Sequence, residues 1–297
     1  MKANWQTRLI AGLGGMLIFA AGAQADLTVF QGGDVMTAGN WSEGLPGDGT
    51  DGLMEVDGTF SDPGNSISWF GDATITIDGA NLLREDGNVQ ISMAANSYLV
   101  MNSGSFTSEG GLGLNRAGFD MNGGSMDFNF INLFGSGEGE DFRANMHGGT
   151  VTVNEYRLYT SQTAQKDLYI TGGSTIINDQ LRLGGGTGPD GFVTFAEGGS
   201  MTINAATDPV DWGDGYINFL EDSINQATLS INGFASSDFE TLYSENRIRF
   251  DNSNEADFSQ NFSVTDDTLS VIPEPSVSML FILGGVFFGW LRRMRFS

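Results

Sequence analysis

The chain contains no cysteine and one histidine, His147, among its 297 residues. Disulfide bonds and cysteine-ligated metals are therefore excluded, as are metal sites that need several histidines. A serine–histidine–aspartate triad would have to use His147. These absences leave carboxylates as the main groups available for chemistry.

Basic residues are also scarce. The chain has 13 Lys and Arg against 37 Asp and Glu, and residues 26–272 carry 8 against 36, a net charge of −28. Such a surface repels nucleic-acid phosphates and anionic lipids, so no nucleic acid is expected as a partner. Cations, cationic proteins and neutral glycans fit better. The other basic residues lie at the two ends: Lys2, Arg8, Arg292, Arg293 and Arg295.

Residues 1–25 are typical of a secretory signal peptide. Two basic residues precede the apolar run 9–21, which is interrupted only by small glycines. Ala23 and Ala25 are the small residues before the expected cleavage site, and Asp26 would begin the mature chain. A retained anchor is the alternative, although the run is short compared with the ~20 apolar residues of a membrane span.

The C-terminal segment, residues 272–297, has three parts. Pro273, Glu274 and Pro275 break the preceding strand, because proline lacks an amide donor and restricts its predecessor. The sixteen residues 276–291 carry no charge, and Arg292, Arg293 and Arg295 follow. We expect a transmembrane helix whose arginines stay on the cytoplasmic side. An ordinary membrane anchor is the alternative.

This order of parts resembles the PEP-CTERM sorting signal. The resemblance implies that Pro273-Glu274-Pro275 is recognised by an exosortase-type membrane enzyme. It also implies an inner-membrane-tethered precursor, which is then delivered to the cell surface or to an exopolysaccharide matrix. A Gram-negative host that makes exopolysaccharide is implied as well.

A short glycine motif recurs between the two ends, as in MNGGSM (121–126) and MHGGTV (146–151). The spacings between copies are 21, 25, 20, 25, 24 and 26 residues. Aligned on the residue after the last glycine, the copies are Thr59, Ala80, Ser105, Ser125, Thr150, Ser174 and Ser200.

Such a period indicates a solenoid, and alternation with period two after each turn indicates strands. We therefore predict an all-β fold over residues 26–271, a parallel, right-handed β-helix of about seven to nine coils. Stacked amides are expected to bond along its turns at Asn102, Asn122, Asn145, Asn178 and Asn204. A β-sandwich is the rival, but its strands need no equal spacing.

Both ends of the repeats are atypical, as capping coils should be. The N-terminal cap is expected at 26–55, where Gly39-Asn40-Trp41-Ser42 is similar to the first coil of autotransporter-like solenoids. The C-terminal cap is expected at about 205–271. It should hold one helix at 236–246, with Ser237 as N-cap and Glu240 completing a capping box, and a final strand pair.

Few residues suggest catalysis. Arg247 and Arg249 share one strand face, which would suit an anion, although pairing with Asp238, Glu240 or Asp251 is the simpler interpretation. His147 lies at a motif corner, where a turn role is simpler than that of a base. Asp208, Asp211 and Asp214 surround Trp212, a pattern that fits either a solvated loop or a calcium or sugar site.

Weak calcium binding is the one cofactor that the sequence suggests. Residues 185–193 match a single copy of a calcium-binding nonapeptide, with Asp190 at its acidic position. Asp48 and Asp51 lie in another glycine-rich turn, and calcium prefers such oxygen-rich loops.

Taken together, these features predict a non-enzymatic exported surface or matrix protein, associated with exopolysaccharide. The alternatives are a carbohydrate-active β-helix enzyme and a glycan-binding adhesin. The adhesin would display a row of exposed Trp or Tyr side chains along one face, with Tyr156, Tyr159 and Tyr169 as candidates.

Overall fold

The computed structural model describes residues 26–272 except 48, 61–66, 70, 85–89, 94–95, 116, 135–141, 159–165, 185–190, 206 and 224–226. The described residues form 24 strands, two α-helices and two 3-10 turns at 38–40 and 221–223. In chain order the strands are β1 (Asp26–Val29), β2 (Gly33–Asp34), β3 (Thr50–Met54), β4 (Gly58–Thr59), β5 (Ile67–Trp69), β6 (Thr74–Ile77), β7 (Asn81–Arg84), β8 (Ile91–Met93), β9 (Tyr98–Met101), β10 (Ser105–Asn115), β11 (Gly118–Met121), β12 (Ser125–Phe134), β13 (Phe142–Met146), β14 (Thr150–Leu158), β15 (Lys166–Ile170), β16 (Ser174–Arg182), β17 (Gly191–Phe195), β18 (Gly199–Ile203), β19 (Val210–Asp211), β20 (Tyr216–Phe219), β21 (Ala227–Ile231), β22 (Ile248–Phe250), β23 (Phe262–Thr265) and β24 (Thr268–Val271). The helices are α1 (Ser236–Ser244) and α2 (Phe258–Asn261).

The strands stack into two sheets that share one core. The ten-stranded sheet has the order β1-β3-β6-β9-β11-β13-β15-β17-β20-β22. The fourteen-stranded sheet has the order β2-β4-β7-β10-β12-β14-β16-β18-β21-β24-β23, with β5, β8 and β19 beside this path. Each described pair between β1 and β22 is parallel, so the prediction of a parallel β-solenoid is confirmed, with about seven turns. A sandwich of antiparallel sheets is thereby excluded.

The predicted coil register is confirmed from the third motif copy onward. Ser105, Ser125, Thr150, Ser174 and Ser200 are aligned strand to strand, and Thr228 extends their column.

The first two assignments in that column were wrong. Ser105 aligns with Asn81 rather than Ala80. By the β4–β7 register the coil before it contributes Asp57, whose carboxylate accepts the Asn81 backbone N–H at 2.8 Å. Gly58 is therefore a strand residue instead of a corner. A Cβ there would lie 2.6 Å from Phe30 Cε1, so glycine makes room for that ring.

The corner between the two sheets depends on stacked glycines. Gly104, Gly124, Gly149 and Gly173 all have positive φ, between 75° and 89°. A Cβ at Gly149 would lie 2.7 Å from the Gly124 carbonyl oxygen of the preceding coil. Glycine thus satisfies two demands at once, a left-handed backbone and direct contact between successive coils.

A second bend occurs inside the long strands of the fourteen-stranded sheet. Strands β10, β12, β14 and β16 contain 11, 10, 9 and 9 residues. Their pairing register shifts between Ser108 and Gly111 and between Val153 and Glu155. This irregularity divides each long strand into two parts, so the solenoid presents three faces to solvent.

Alternating side chains point inward and form apolar columns. In the ten-stranded sheet, Leu99, Phe119 and Ala144 occupy one such column and are fully buried. Aromatic rings also pack from coil to coil. Phe106 lies 5.6 Å from Phe60 and 4.9 Å from Phe128 between ring centroids. The core is therefore continuous from coil to coil.

Asparagine ladders run along both bends, as expected. Asn122 Nδ2 donates to Asn102 Oδ1 at 2.9 Å on the glycine corner. On the second bend the same contact joins Asn204 to Asn178 and Asn154 to Asn129, each at 2.9 Å. Asn145 was wrongly placed in this group, because it lies within β13.

The N-terminal end of the core is closed by the segment 41–44. The Trp41 ring is 3% exposed, and its Nε1 donates to the Val35 carbonyl at 2.9 Å. The outward edge of β1 is also occupied, since Val29 N donates to Ser42 Oγ and Ser42 N donates to Val29 O, both at 2.9 Å. This segment forms hydrogen bonds with backbone groups on the outward edge of β1, where the described chain has no earlier coil to pair with them.

The C-terminal end is closed by a hairpin and two helices. Strand β24 pairs antiparallel with β21, and β23 pairs antiparallel with β24, which confirms the predicted final strand pair. The Phe262 ring packs on Phe219 at 5.4 Å.

Helix α1 is present where a helix was expected, but the predicted cap was wrong. The N-cap residue is Ala235, whose N–H is accepted by Asp238 Oδ2 at 2.8 Å, while Glu240 accepts the Ser236 hydroxyl. The helix begins one residue before the expected cap, at Ser236. Asp238 therefore takes the position three residues after the cap that was assigned to Glu240.

Candidate functional site

The outer face of the ten-stranded sheet carries two columns of mostly polar and aromatic residues, here called the outer stripe, of which Gly118 and Asn218 are buried. They alternate with the buried residues, so successive strands place them directly above one another. The first column is Tyr98, Gly118, Arg143, Asp167, Phe192 and Tyr216, continued by Arg247; the second is Val100, Asp120, Asn145, Tyr169, Thr194, Asn218 and Arg249.

A hydrogen-bonded cluster lies at the N-terminal end of the stripe. The Tyr98 hydroxyl donates to Asp120 Oδ1 at 2.8 Å, and Asn145 Nδ2 donates to the same oxygen at 2.6 Å. Burial, and then the hydrogen bond to Asp120, raise the pKa of Tyr98 to about 12. Asp120 Oδ1 thus already accepts two hydrogen bonds within the protein.

In the middle of the stripe, Arg143 forms an ion pair with Asp167. Arg143 Nη2 lies 3.5 Å from Asp167 Oδ2, and the Arg143 guanidinium lies 4.8 Å from the centroid of the Tyr169 ring. Asp167 also accepts from Thr194 Oγ1 at 3.4 Å. The Arg143 side chain remains 53% exposed, so solvent weakens this pair.

Two further arginines lie at the C-terminal end. The Arg249 guanidinium sits 3.5 Å from the centroid of the Tyr216 ring, and that ring is 4.2 Å from Phe192. Arg247 Nη1 donates to the Gly215 carbonyl at 3.3 Å. Burial is also the main cause of the raised pKa of Tyr216, and Arg249 opposes it. These contacts hold both cations at the surface of the stripe.

The partners expected for these two arginines are not the ones found. Asp238 caps α1, Glu240 accepts from Ser236, and Asp251 follows β22 in a turn. Among the described residues none of the three forms an ion pair with Arg247 or Arg249. The prediction that acidic neighbours neutralise this pair was therefore wrong.

A shallow groove of about 370 Å³ lies at the second bend, here called the bend groove. Two carboxylates, Glu109 and Asp127, contribute to its wall. The other lining residues are Thr107, Ser108, Phe128, Asn129 and Asn154. The Asn154–Asn129 hydrogen bond runs along one side, so the groove combines acids with fixed amides.

A separate cationic cluster lies on the third face. Arg157 Nη2 is 2.6 Å from Glu155 Oε2, and Arg182 Nε is 3.4 Å from the same oxygen. The Arg157 guanidinium also lies 4.5 Å from the centroid of the Phe130 ring. These two arginines share a carboxylate, unlike those at the end of the outer stripe.

The predicted calcium residues are only partly described. Asp51 lies in β3, and its Oδ1 accepts the Thr74 backbone N–H at 2.8 Å. Asp48 and Asp190 lie outside the described residues. Within the described part of the chain no three acidic or histidine side chains converge as a metal ion would require. Calcium binding stays a prediction.

His147 lies at the corner between β13 and β14, as expected for a turn residue. Its ring is exposed, and its Nδ1 is 2.7 Å from Thr171 Oγ1 of the next coil. The residues at the same place in neighbouring coils are Asn122 and Thr171. This position agrees with a structural role in the corner.

The acidic loop around Trp212 is spread over the surface. Asp208 is exposed with φ of 47°, and Asp211 lies in β19 opposite Arg182. Asp214 is exposed in the following turn, while Trp212 packs against the core. Each of these four residues therefore has a separate structural position in the loop.

The three candidate tyrosines have different environments. Tyr156 is fully buried among aliphatic side chains, and its hydroxyl has no hydrogen-bond partner among the described residues. Tyr169 is in the outer stripe, while Tyr159 lies outside the described residues. Tyr98, Phe192 and Tyr216 also lie in the outer stripe and were missed, and all of these rings are half-buried rather than exposed.

The predicted processing sites lie mostly outside the described residues. These are Ala23, Ala25, Pro273, Glu274, Pro275, Arg292, Arg293 and Arg295. Asp26, the expected first residue of the mature chain, is the exposed first residue of β1. None of the helices in the described residues has the length and apolar character that crossing a membrane requires.

Comparison with protein-family models, with curated protein sequences and with solved structures finds no match for this chain. Its function is therefore inferred from the sequence and from the geometry described above.

Proposed function

We propose that this chain is a non-enzymatic, exported surface or matrix protein that works in an extracellular polysaccharide layer. The single observation that supports this proposal is the continuous solenoid core, which joins the described residues between 26 and 272 into one rod. Such a body suits a spacer or scaffold, because each coil is held by its neighbours and the outer columns are free to vary.

The proposal includes both chain ends. Residues 1–25 form a signal helix that is removed before Asp26, and residues 276–291 form a transmembrane helix that tethers the precursor to the inner membrane. An exosortase-type enzyme recognises Pro273-Glu274-Pro275 and releases the body to the surface. The winding is right-handed, because crossovers between parallel strands have that hand in nearly all sheets.

Mass spectrometry of the mature chain, combined with cell fractionation, tests this proposal. In an exopolysaccharide-producing host with such an enzyme, we expect an N-terminus at Asp26 and loss of the residues after the Pro-Glu-Pro motif. Replacing all three motif residues with alanine should leave the full C-terminus in the membrane fraction. Glu255→Ala, an exposed acid in the body, is the control and should be processed normally.

Retention of Met1 on a chain found in the cytoplasm would overturn the proposal. So would processing that is unchanged when the three motif residues are replaced.

The bend groove favours a second candidate, a carbohydrate-active enzyme. Glycoside hydrolysis uses two carboxylates, and Glu109 and Asp127 line this groove. If the groove is catalytic, Glu109→Gln or Asp127→Asn should each abolish release of reducing sugars from a panel of neutral and acidic polysaccharides. Absence of any product from the unaltered protein would remove this candidate.

A further inference from the structure

Arg247 and Arg249 are unusual within this body, which carries 36 acidic residues against 8 basic ones. Carboxylates contact Arg143, Arg157 and Arg182 on the same molecule. No described carboxylate contacts either arginine at the C-terminal end of the outer stripe. Two neighbouring cations without acidic partners form a local positive site on a strongly negative surface.

The site is already shaped for a ligand. Stacking at 3.5 Å on Tyr216 restricts the Arg249 guanidinium, and its Nε donates to the Asn246 carbonyl at 3.4 Å. Arg247 is held through Gly215. The remaining N–H groups of Arg249 have no acceptor among the described residues. A guanidinium in this state can form paired hydrogen bonds to a carboxylate without first being ordered.

We propose that Arg247 and Arg249 bind the carboxylates of a sparsely charged acidic polysaccharide that lies along the outer stripe. This inference rests on the proposed function, which places the protein among polysaccharides. Half-buried aromatic rings continue from the two arginines along the stripe, and the weakly positive C–H groups of a sugar ring suit their negative faces. The next arginine along the stripe is Arg143, four strands away, or ~19 Å at the usual strand spacing.

The charge of the body sets the kind of polymer. Three arginines and two aspartates leave the stripe near neutrality, while the body as a whole carries −28. Repulsion from the body is screened beyond about 8 Å at physiological ionic strength, but it still disfavours a densely charged chain. A polysaccharide with occasional carboxylates can pair with the arginines and is repelled only weakly by the acidic body. A single-stranded nucleic acid, with a charge on each phosphate, does not.

Binding of pectin with partly esterified carboxylates to the full chain in non-ionic detergent tests the proposal. At about 0.15 M salt, where the body's repulsion is screened, we expect affinity at least tenfold higher than for the same polymer fully esterified. The double variant Arg247→Ala/Arg249→Ala should lose at least tenfold in affinity. Arg157→Ala is the matched control, since Arg157 also stacks on an aromatic ring but pairs with Glu155, and its affinity should change less than twofold.

Any of the following results would overturn the proposal. They are equal binding of the fully esterified polymer, an unchanged affinity in the double variant whose circular dichroism matches the parent, and tighter binding of single-stranded oligothymidylate than of pectin. No binding of any polymer would also overturn it. The proposed function would survive each of these, because the processing of the chain ends decides it independently.

Discussion

At the scale of single residues, the interior contains a buried hydroxyl, that of Tyr156, with no hydrogen-bond partner among the described residues. Tyr156 lies in a column of aliphatic side chains between Ile131 and Leu181, and its ring is fully buried. Burial raises the pKa of its hydroxyl far above the ordinary value. A buried hydroxyl without a partner costs free energy, so the ring rather than the oxygen stabilises this position.

Tyr156→Phe should therefore leave the free energy of unfolding unchanged or raise it by about 1 kcal/mol. Tyr243→Phe is the matched control, because the Tyr243 hydroxyl accepts a hydrogen bond from Asn261 Nδ2 at 3.1 Å. That variant should lose about 1 kcal/mol. Urea denaturation followed by fluorescence measures both. A larger loss for Tyr156→Phe than for Tyr243→Phe would mean that the buried hydroxyl has a partner.

At the scale of strands and turns, the corner glycines leave room for successive coils to approach to the spacing of hydrogen-bonded strands. The backbone of each corner touches the corner before it, so the position demands both a positive φ and the absence of a side chain. These two demands can be separated experimentally at Gly233. Its φ is 81°, but a methyl group added there would meet no atom within 4 Å.

Gly149→Ala should destabilise the protein by about 2–5 kcal/mol, the sum of a left-handed backbone and a collision with Gly124. Gly233→Ala should cost only the backbone part, about 1–2 kcal/mol. Thermal unfolding followed by circular dichroism gives the comparison. Equal losses of stability in the two variants would show that the contact between Gly149 and Gly124 adds no cost to a side chain at the corner.

The sequence predicted this architecture because corner glycines and alternating strands leave a repeating pattern. It failed at the first two copies, where a glycine serves to accommodate Phe30 instead of turning the chain. The outer stripe was missed although a signal existed: Tyr98, Gly118, Arg143, Asp167, Phe192 and Tyr216 follow one another at intervals of 20, 25, 24, 25 and 24 residues. That signal is weak because the outward residues of successive coils occupy equivalent positions but differ in residue type. The lack of acidic partners for Arg249 could not be predicted, because it depends on where α1 places Asp238 and Glu240.

At the scale of the whole molecule, each end of the coil stack is closed differently from its interior. The segment 41–44 covers the outward edge of β1, and β24 runs antiparallel to β21. Leu229 and Leu269 face each other across that last junction, and both are fully buried. Open strand edges pair readily with other chains, so these closures should keep the rod from associating end to end.

Deleting residues 262–272 should expose the edge of β21 and cause association that rises with concentration. Light scattering after size-exclusion chromatography measures it, with circular dichroism to confirm that the strands remain. Ser263→Ala is the control, since it removes one exposed contact with Ser270 and keeps the hairpin. A deletion variant that stays monomeric while retaining its β-structure would contradict this role for the hairpin.

Contact between the corner glycines has a consequence for how the surface can change over time. The distance between neighbouring coils is set by the backbone hydrogen bonds between their strands, and the corner glycines leave room for that approach. Substitutions on the exterior can therefore replace one chemical group by another while the interval between display points stays constant. Ligand preference can diverge quickly in such a protein, because a new binding group on the exterior lies at the same interval as the group that it replaces.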